Sequence, residues 1–176
     1  MELGSSLGVT TAHIATVMAP GGHLICVEAN PELIRGLAER VAPRTAGLQC
    51  EVIHAAVTRH CGAAELVIAG ETVGSRIGAP RPDESIVPVP ALTLREILRR
   101  TNVCEFDLVS DIEGAEAAFL LDDPGVLSKR GRAIIEFHET VADGHMVSVF
   151  DLIEAAVTAG LRVVSRHGPV VALSRS

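Results

Sequence analysis

The chain opens with Glu2-Leu3-Gly4-Ser5-Ser6-Leu7-Gly8, and Glu28 stands twenty positions after Gly8, at the end of the apolar run 24–27. A strand that ends in glycines and turns into a helix lets the backbone approach a ligand closely, because glycine has no Cβ and tolerates positive φ. An acidic residue that closes the next parallel strand can accept hydrogen bonds from both hydroxyls of a ribose. The glycines follow the spacing ExGxxxG rather than GxGxxG, and this spacing favours S-adenosylmethionine over NAD as the ligand.

The composition sets the size and class of the protein. Its 176 residues, 48% hydrophobic and 21% charged, are typical of one soluble domain with a real core, and we expect a cytoplasmic protein. The net charge of −7 argues against a nucleic-acid partner, because phosphate binding needs clustered Lys and Arg. No apolar run approaches the ~20 residues of a membrane span. The chain has no tyrosine, which excludes a short-chain dehydrogenase, and a small-molecule substrate is the simplest partner to accommodate.

Apolar runs that do not alternate with polar residues predict a parallel sheet covered by helices on both faces. The predicted strands are residues 23–28, 48–57, 106–112 and 133–137, with a further candidate at 64–69 that could pair with an antiparallel neighbour. The predicted helices are residues 9–18, 31–41, 94–100, 114–121 and 148–160. Asn30 ahead of Pro31, and Thr93 with Glu96, supply two of these helices with N-terminal capping signals. Gly, Pro, Ser and charged residues fill the stretch 70–90, which predicts a long loop.

The end of the chain predicts a β-hairpin. Residues 161–165 and 170–174 are two further strands, and the short link between them cannot hold a crossover helix, so they must be antiparallel. A parallel α/β sheet that finishes with such a hairpin is the layout of the class I methyltransferase fold, whereas a dinucleotide-binding sheet is parallel throughout. We therefore predict a three-layer, Rossmann-like class I methyltransferase sheet, mostly parallel with a C-terminal antiparallel hairpin.

Five sequence motifs resemble those of the FkbM-type methyltransferases, a branch of the S-adenosylmethionine-dependent class I enzymes. They are ELGSSLG at 2–8, VEANP at 27–31, HAAV at 54–57, SDIEGAE at 110–116 and IEFHE at 135–139. The fourth is the most specific, because a D-x-E-G-A-E string at the tip of a central strand is characteristic of the family. The resemblance covers nearly the whole chain and implies a single methyltransferase domain over residues 1–176. Since family members normally have a complete first strand ahead of the glycines, it also implies a domain truncated before this loop.

The resemblance implies a set of residues that bind S-adenosylmethionine. They are Glu2, Gly4, Ser5, Ser6, Gly8, Glu28, Ala29, Asn30, Ala56, Val57, Asp111 and Glu113. The residues around the glycines would frame the methionine part of the cofactor, and Glu28 would hold the ribose. Ala56 and Val57 resemble the stretch that borders the adenine, and Asp111 and Glu113 lie where the transferring methyl group is expected.

A methyl transfer from a sulfonium is an in-line displacement, and an alcohol nucleophile must also lose its proton. His138 is the predicted general base, because it follows an apolar strand at the edge where the carboxyl ends of parallel strands form a ligand crevice. Glu136 lies two residues earlier and therefore faces the same side of the strand, so the pair could serve as base and orienter. Asp111, at the end of the neighbouring strand, completes the predicted catalytic cluster.

The same residues allow other interpretations. His138 and its acidic neighbours could simply solvate a strand end, and Asp111 and Glu113 could mark a helix N-terminus that favours acids. An Asp, a Glu and a His at adjacent strand ends could also hold a divalent metal, although the sequence favours a site without one. Residues 4–8 also spell GxSxG, the nucleophile elbow of α/β-hydrolases, but several strands precede that elbow and only three residues do here.

The sequence therefore predicts an S-adenosylmethionine-dependent methyltransferase that methylates a hydroxyl of a sugar or secondary metabolite. The alternative is a non-catalytic or degenerate domain of the same fold that acts as a binding partner or is vestigial.

Overall fold

The structure, a computed structural model, describes residues 1–68 and 74–175, with residues 128–130 described by their backbone. The chain forms two units. Unit 1 is Met1–Ala56 with Ala63–Pro90, and unit 2 is Val57–Gly62 with Ala91–Ser176. A single methyltransferase domain over residues 1–176 stays a prediction.

Unit 1 alternates strands with short helices. Its elements, in chain order, are β1 (Glu2–Leu3), α1 (Val9–Val17), β2 (His23–Glu28), α2 (Pro31–Ile34), α3 (Leu37–Val41), β3 (Gln49–His54), β4 (Ala56–Val57), β5 (Gly62–Ile68), β6 (Arg76–Ile77) and β7 (Ser85–Leu92). The limits of the unit cut through β4, β5 and β7 near one end of each strand.

The strands β1, β2 and β3 of unit 1 are parallel neighbours in one sheet. β2 lies between β1 and β3, with Leu3 in register with Val27 and Glu28 in register with His54. β2 is buried from its second residue onward, as the unbroken apolar run 24–27 predicts for a strand covered on both faces. The carboxyl ends of these strands lie at one edge, and residues 4–8 leave β1 at that edge.

Two elements predicted as continuous are each broken at one residue. The predicted helix 31–41 is α2 followed by α3, because Gly36 has a φ of 103° and interrupts the helical backbone. The predicted strand 48–57 is β3 followed by β4, because β3 pairs with β2 whereas β4 lies beside β7 in a different sheet. The elements are of the predicted type, and the breaks shorten them.

The prediction of a loop over 70–90 was wrong at residues 76–77 and 85–90, which form strands. β6 and most of β7 lie within it, in a four-stranded sheet of order β4-β7-β5-β6, while residues 69–73 lie outside the described part. The predicted strand 64–69 is β5, which pairs antiparallel with β6. Ala56, Leu66 and Val89 form the small buried core of this sheet.

Unit 2 begins with a helix and ends with a hairpin. Its elements are α4 (Leu94–Arg100), β8 (Phe106–Ser110), α5 (Ala117–Leu120), a 3₁₀ helix (Pro124–Lys129), β9 (Arg130–Glu136), β10 (Thr140–Ala142), β11 (His145–Val147), α6 (Val149–Thr158), β12 (Leu161–His167) and β13 (Val170–Arg175).

The strands of unit 2 confirm the predicted change from parallel to antiparallel. β8 and β9 are parallel, whereas β13 is antiparallel to both β9 and β12. The C-terminal hairpin is therefore present as predicted, with His167 opposite Val170. The mixed α/β class, mostly parallel with antiparallel strands at the C-terminus, is confirmed.

The helices of unit 2 follow the capping signals in part. Thr93 Oγ1 accepts from Glu96 N at 3.1 Å ahead of α4, as predicted. The predicted helix 114–121 shortens to α5, because Glu113 and Gly114 have φ values of 53° and 98° and form a turn. The β10–β11 hairpin was not predicted. Across the described ranges, no helix has the length and apolarity that a bilayer crossing needs.

Candidate cofactor loop and candidate catalytic cluster

The first candidate site is the glycine loop, residues 4–8, which joins β1 to α1 in unit 1. Gly4 N and Ser5 N both donate to Val27 O, at 2.9 and 3.1 Å. Gly4 and Ser6 have φ values of 81° and 48°. The left-handed region costs a residue with a Cβ roughly 1–2 kcal/mol, so Ser6 must be held there by its contacts. The loop is a tight turn anchored on the end of β2.

Glu28, the last residue of β2, supplies the contact that holds Ser6. Its Oε2 accepts from Ser6 N and its Oε1 accepts from Asn30 N, both at 2.7 Å. The residue is only 7% exposed. A carboxylate offers about four lone-pair positions, so each oxygen can still accept one more hydrogen bond. Glu28 thus orders the loop and keeps acceptor capacity for a ligand with two adjacent hydroxyls.

Gly8 is required by packing within unit 1. Its φ is 84°, and a Cβ at this position would lie 2.6 Å from Val41 Cγ1 and 3.2 Å from Leu37 Cδ1. Both of those side chains belong to α3. The second glycine of the loop therefore makes room for a helix, whereas the sequence analysis explained it by close approach of a ligand.

Two buried polar atoms lie beneath the loop. Glu2 is 1% exposed, and Thr11 Oγ1 donates to its Oε2 at 2.5 Å. Glu2 Oε1 and Ser5 Oγ are buried and have no hydrogen bond of ordinary geometry within residues 1–68 and 74–175. Burial raises the pKa of Glu2 above its usual value, and the hydrogen bond from Thr11 opposes that rise. Glu2 is therefore a buried acid with one oxygen still able to accept.

The other predicted cofactor residues of this edge are mostly covered. Asn30 is fully buried, and its Nδ2 donates to Ser75 Oγ at 3.1 Å. Ala56 and Val57 are buried, and Ala29 packs against the small core that contains Ala56. The adenine border predicted at Ala56 and Val57 consists of side chains that lie in the protein interior and stays a prediction.

The second candidate site is the acid–histidine cluster of unit 2, made of Asp111, Glu113, Glu116, Glu136 and His138. His138 Nε2 lies 3.8 Å from Asp111 Oδ1, 3.7 Å from Glu113 Oε2 and 3.9 Å from Glu136 Oε1. The structure thus brings together the three residues predicted as catalytic, and adds Glu113 to them.

Glu116 approaches His138 from the other side. Its Oε1 lies 3.3 Å from His138 Nδ1, and the residue is 0% exposed. Its carboxylate also accepts from Ile112 N at 3.1 Å and from Gly114 N at 2.9 Å. The sequence analysis gave Glu116 no role. An acid at the start of an otherwise apolar stretch, 115–121, is the signal that could have identified it.

The carboxylates change how His138 titrates. The hydrogen bond with Glu116 is the largest cause, and it raises the pKa of His138 to about 9 against the opposing effect of burial. Burial likewise raises the pKa of Asp111. At neutral pH His138 therefore carries a proton on both nitrogens, and its Nε2 becomes a base as the pH approaches about 9.

The cluster contains a set of possible metal ligands. One donor atom from each of Asp111, Glu113 and His138 lies within 4.8 Å of the others. Carboxylate oxygens and an imidazole nitrogen could together hold a divalent cation. A site that works without metal stays the prediction from the sequence.

The β10–β11 hairpin packs against the turn that carries Glu113. A Cβ on Gly114 would lie 3.1 Å from Thr140 Oγ1 at the start of β10. At the tip of the hairpin, Arg59 Nη1 donates to Asp143 Oδ1 at 2.6 Å. The hairpin is therefore fixed at its base by close packing and at its tip by an exposed ion pair.

Comparison with known proteins assigns the chain to a family. The family model of the methyltransferase FkbM domain matches residues 4–156. The chain belongs to the FkbM methyltransferase family. The match spans both candidate sites of the FkbM domain, apart from Glu2.

A solved structure supports the fold of this FkbM domain. The crystal structure of Aeropyrum pernix fibrillarin in complex with natively bound S-adenosyl-L-methionine is similar, with a TM-score of 0.54 and 13% sequence identity. The alignment covers 98% of this chain and 63% of the fibrillarin chain, so the FkbM domain spans less than two thirds of that protein. A search of curated proteins finds no sequence match. The likeness to fibrillarin confirms the class I methyltransferase fold.

Proposed function

We propose that this FkbM domain uses S-adenosylmethionine to methylate a hydroxyl oxygen of a small molecule, a sugar or a secondary metabolite. The observation that supports an oxygen-directed reaction is the acid–histidine cluster, in which four carboxylates lie within 4 Å of the two ring nitrogens of His138. Such groups can hold a hydroxyl and accept its proton, which a general base must do before or during the transfer.

The glycine loop fits the chemistry of the cofactor. Glu28 has one free acceptor position on each oxygen, which suits the two ribose hydroxyls. The acids Glu2 and Glu28 also suit a cofactor that carries a positive sulfonium and a positive ammonium group. When bound, S-adenosylmethionine supplies an electrophilic methyl group. The similar fold of fibrillarin, whose crystal structure contains this cofactor, supports the assignment.

The acceptor belongs at the acid–histidine cluster. Asp111 and Glu136 are partly exposed and can accept a hydrogen bond from a hydroxyl that lies beside His138 Nε2. As the hydroxyl oxygen took the methyl group, the methyl carbon–sulfur bond would break, S-adenosylhomocysteine would leave as a neutral thioether, and the hydroxyl proton would pass to Nε2 of neutral His138. The neighbouring carboxylates then stabilise the imidazolium that results. A base positioned in this way contributes typically ~10²–10⁴-fold to the rate.

Calorimetric titration of the purified chain tests the proposal without a known acceptor. We expect S-adenosylmethionine and S-adenosylhomocysteine to bind with micromolar affinity, because the glycine loop and Glu28 are already ordered. A folded chain that binds neither would overturn the proposal and favour the non-catalytic domain. Binding would justify a screen of hydroxyl acceptors, with methylated product detected by mass spectrometry.

A further inference from the structure

Glu116 is a buried acid with three hydrogen-bond donors around it. Ile112 N and Gly114 N donate to it at 3.1 and 2.9 Å, and His138 Nδ1 lies 3.3 Å from its Oε1. A buried carboxylate is costly unless it is hydrogen-bonded, so these donors stabilise the ionised form. An ionised carboxylate only accepts, which makes His138 Nδ1 the donor of that contact.

We infer that Glu116 is the positioning residue of His138: it keeps the proton of the neutral imidazole on Nδ1, so that Nε2 is the nitrogen that accepts the acceptor's hydroxyl proton. The inference rests on the proposed function, in which His138 is the base. It replaces the orienting role that the sequence gave to Glu136, whose Oε1 lies 3.9 Å from Nε2 and not near Nδ1.

The other charged groups that face His138 cannot fix this proton. Asp111 and Glu113, from the turn after β8, and Glu136, from the end of β9, all lie 3.7–3.9 Å from Nε2. They are partly exposed, so water screens their charges. Glu116 is fully buried and is the nearest acid, so its charge acts on His138 with the least screening.

The tautomer of His138 can be observed directly by ¹⁵N NMR of the chain labelled at its histidine rings. The spectrum of a His138→Asn variant identifies the signals of His138 among those of the seven histidines. Above the titration midpoint, we expect Nδ1 to carry the proton and Nε2 to be bare. A neutral His138 with its proton on Nε2 would overturn the inference, and this measurement needs no variant of Glu116.

A substitution separates the electrostatic role of Glu116 from its structural one. In Glu116→Gln the single amide oxygen can accept from only one of the two turn N–H groups, and the charge is gone, so the midpoint of His138 should move down by about 1–2 pH units from about 9. Glu116→Asp keeps the charge and should restore part of the midpoint. An unchanged midpoint in folded Glu116→Gln would contradict the inference.

A matched control removes a neighbouring charge. Glu139 is exposed and follows His138 directly in the chain, so Glu139→Gln makes the same chemical change beside the histidine without touching Nδ1. We expect its midpoint to equal that of the unmodified chain. A shift as large as that of Glu116→Gln would instead assign the effect to net charge. Because these spectra need no cofactor, they stand apart from the cofactor titration that tests the proposed function.

Discussion

The glycine loop and the acid–histidine cluster each contain a buried glutamate with similar hydrogen bonds, but the two glutamates differ in their other contacts. In each, a buried glutamate at a turn accepts hydrogen bonds from two backbone N–H groups. Among residues 1–68 and 74–175, Glu28 receives only these two donors, so acceptor positions remain on its two oxygens. Glu116 also receives His138 Nδ1, so its charge reaches the site through another side chain. In the proposed function this third donor separates the two roles: Glu28 would bind the cofactor, and Glu116 would orient His138.

The largest expected effect comes from removing Glu28. Glu28→Ala deletes the proposed acceptors for the ribose hydroxyls and the hydrogen bond that holds Ser6 N. Hydrogen bonds to a charged group are worth about 1.5–3 kcal/mol each, so the affinity for S-adenosylhomocysteine should fall ~10²–10⁴-fold in calorimetry. Glu51→Ala, on the neighbouring strand β3, is the control and should bind normally. Undiminished affinity in folded Glu28→Ala would remove Glu28 from the ribose site.

Removal of His138 should reduce turnover and leave cofactor binding intact, the reverse of the effect expected for Glu28. His138→Ala should reduce turnover of an acceptor found by screening by ~10²–10⁴-fold, because it deletes the proposed base. Cofactor affinity should stay unchanged, as measured by the same calorimetry. His167→Ala, an exposed histidine of β12, provides the control. A variant that loses cofactor affinity and keeps its turnover would exchange the roles assigned to the two sites.

The titration of His138 predicts that the free energy of unfolding depends on pH. Its folded pKa of about 9 lies above the ~6.5 of the unfolded chain. The stabilisation is therefore complete below pH ~6.5 and is lost as the pH rises through about 9. Urea unfolding should show the free energy of the unmodified chain falling toward that of His138→Gln by up to about 3 kcal/mol. Parallel pH curves for the two proteins would refute the raised pKa.

The smallest expected effect concerns the packing of the glycine loop. Gly8 and Gly47 have φ values of 84° and 87°, but a Cβ meets Val41 at Gly8 and nothing within 4 Å at Gly47. Both alanine substitutions incur the left-handed penalty of roughly 1–2 kcal/mol, and Gly8→Ala adds overpacking of roughly 1–3 kcal/mol. Chemical denaturation should therefore rank Gly8→Ala as the less stable variant. Equal stabilities would show that Val41 and Leu37 of α3 shift to accommodate the extra methyl group without a measurable cost.

The parts of the fold that local sequence determines were predictable. The buried run 24–27 ends at Glu28, and the structure ends β2 at that residue. The short link between β12 and β13 leaves no room for a crossover, and the two strands are antiparallel. In both cases a single physical constraint leaves one arrangement.

β7 and the β10–β11 hairpin were missed for different reasons. β7 contains Pro88 and Pro90, which suggest a loop because proline cannot donate to a strand ladder. The prolines are two residues apart, so the missing N–H groups face one side of the strand, and the other side keeps its donors. The hairpin did carry a signal. Asp143-Gly144 lies between two short segments that contain Val141 and Met146, and an Asp-Gly pair is typical of a tight β-turn.

The membership of the acid–histidine cluster was only partly predictable. Asp111, Glu136 and His138 follow from strand ends that meet at one edge, and the structure places them together. The position of Glu116 depends on the turn at Glu113, whose φ of 53° a sequence pattern does not reveal. A helix that began at residue 114, as predicted, would give Glu116 a different direction.

The contact between Gly114 and Thr140 determines where this protein can tolerate change. A side chain at Gly114 would be strained by its φ of 98° and would meet Thr140 Oγ1 at 3.1 Å, so Thr140 would have to shift slightly. The tip of the hairpin is held by the exposed pair of Arg59 and Asp143, a kind of contact worth ~0–1 kcal/mol. Insertions at the tip should therefore cost little, whereas bulkier side chains at the base, at Gly114 or Thr140, should cost more. We therefore expect the tip of the hairpin to accept changes in length without rebuilding the surroundings of His138.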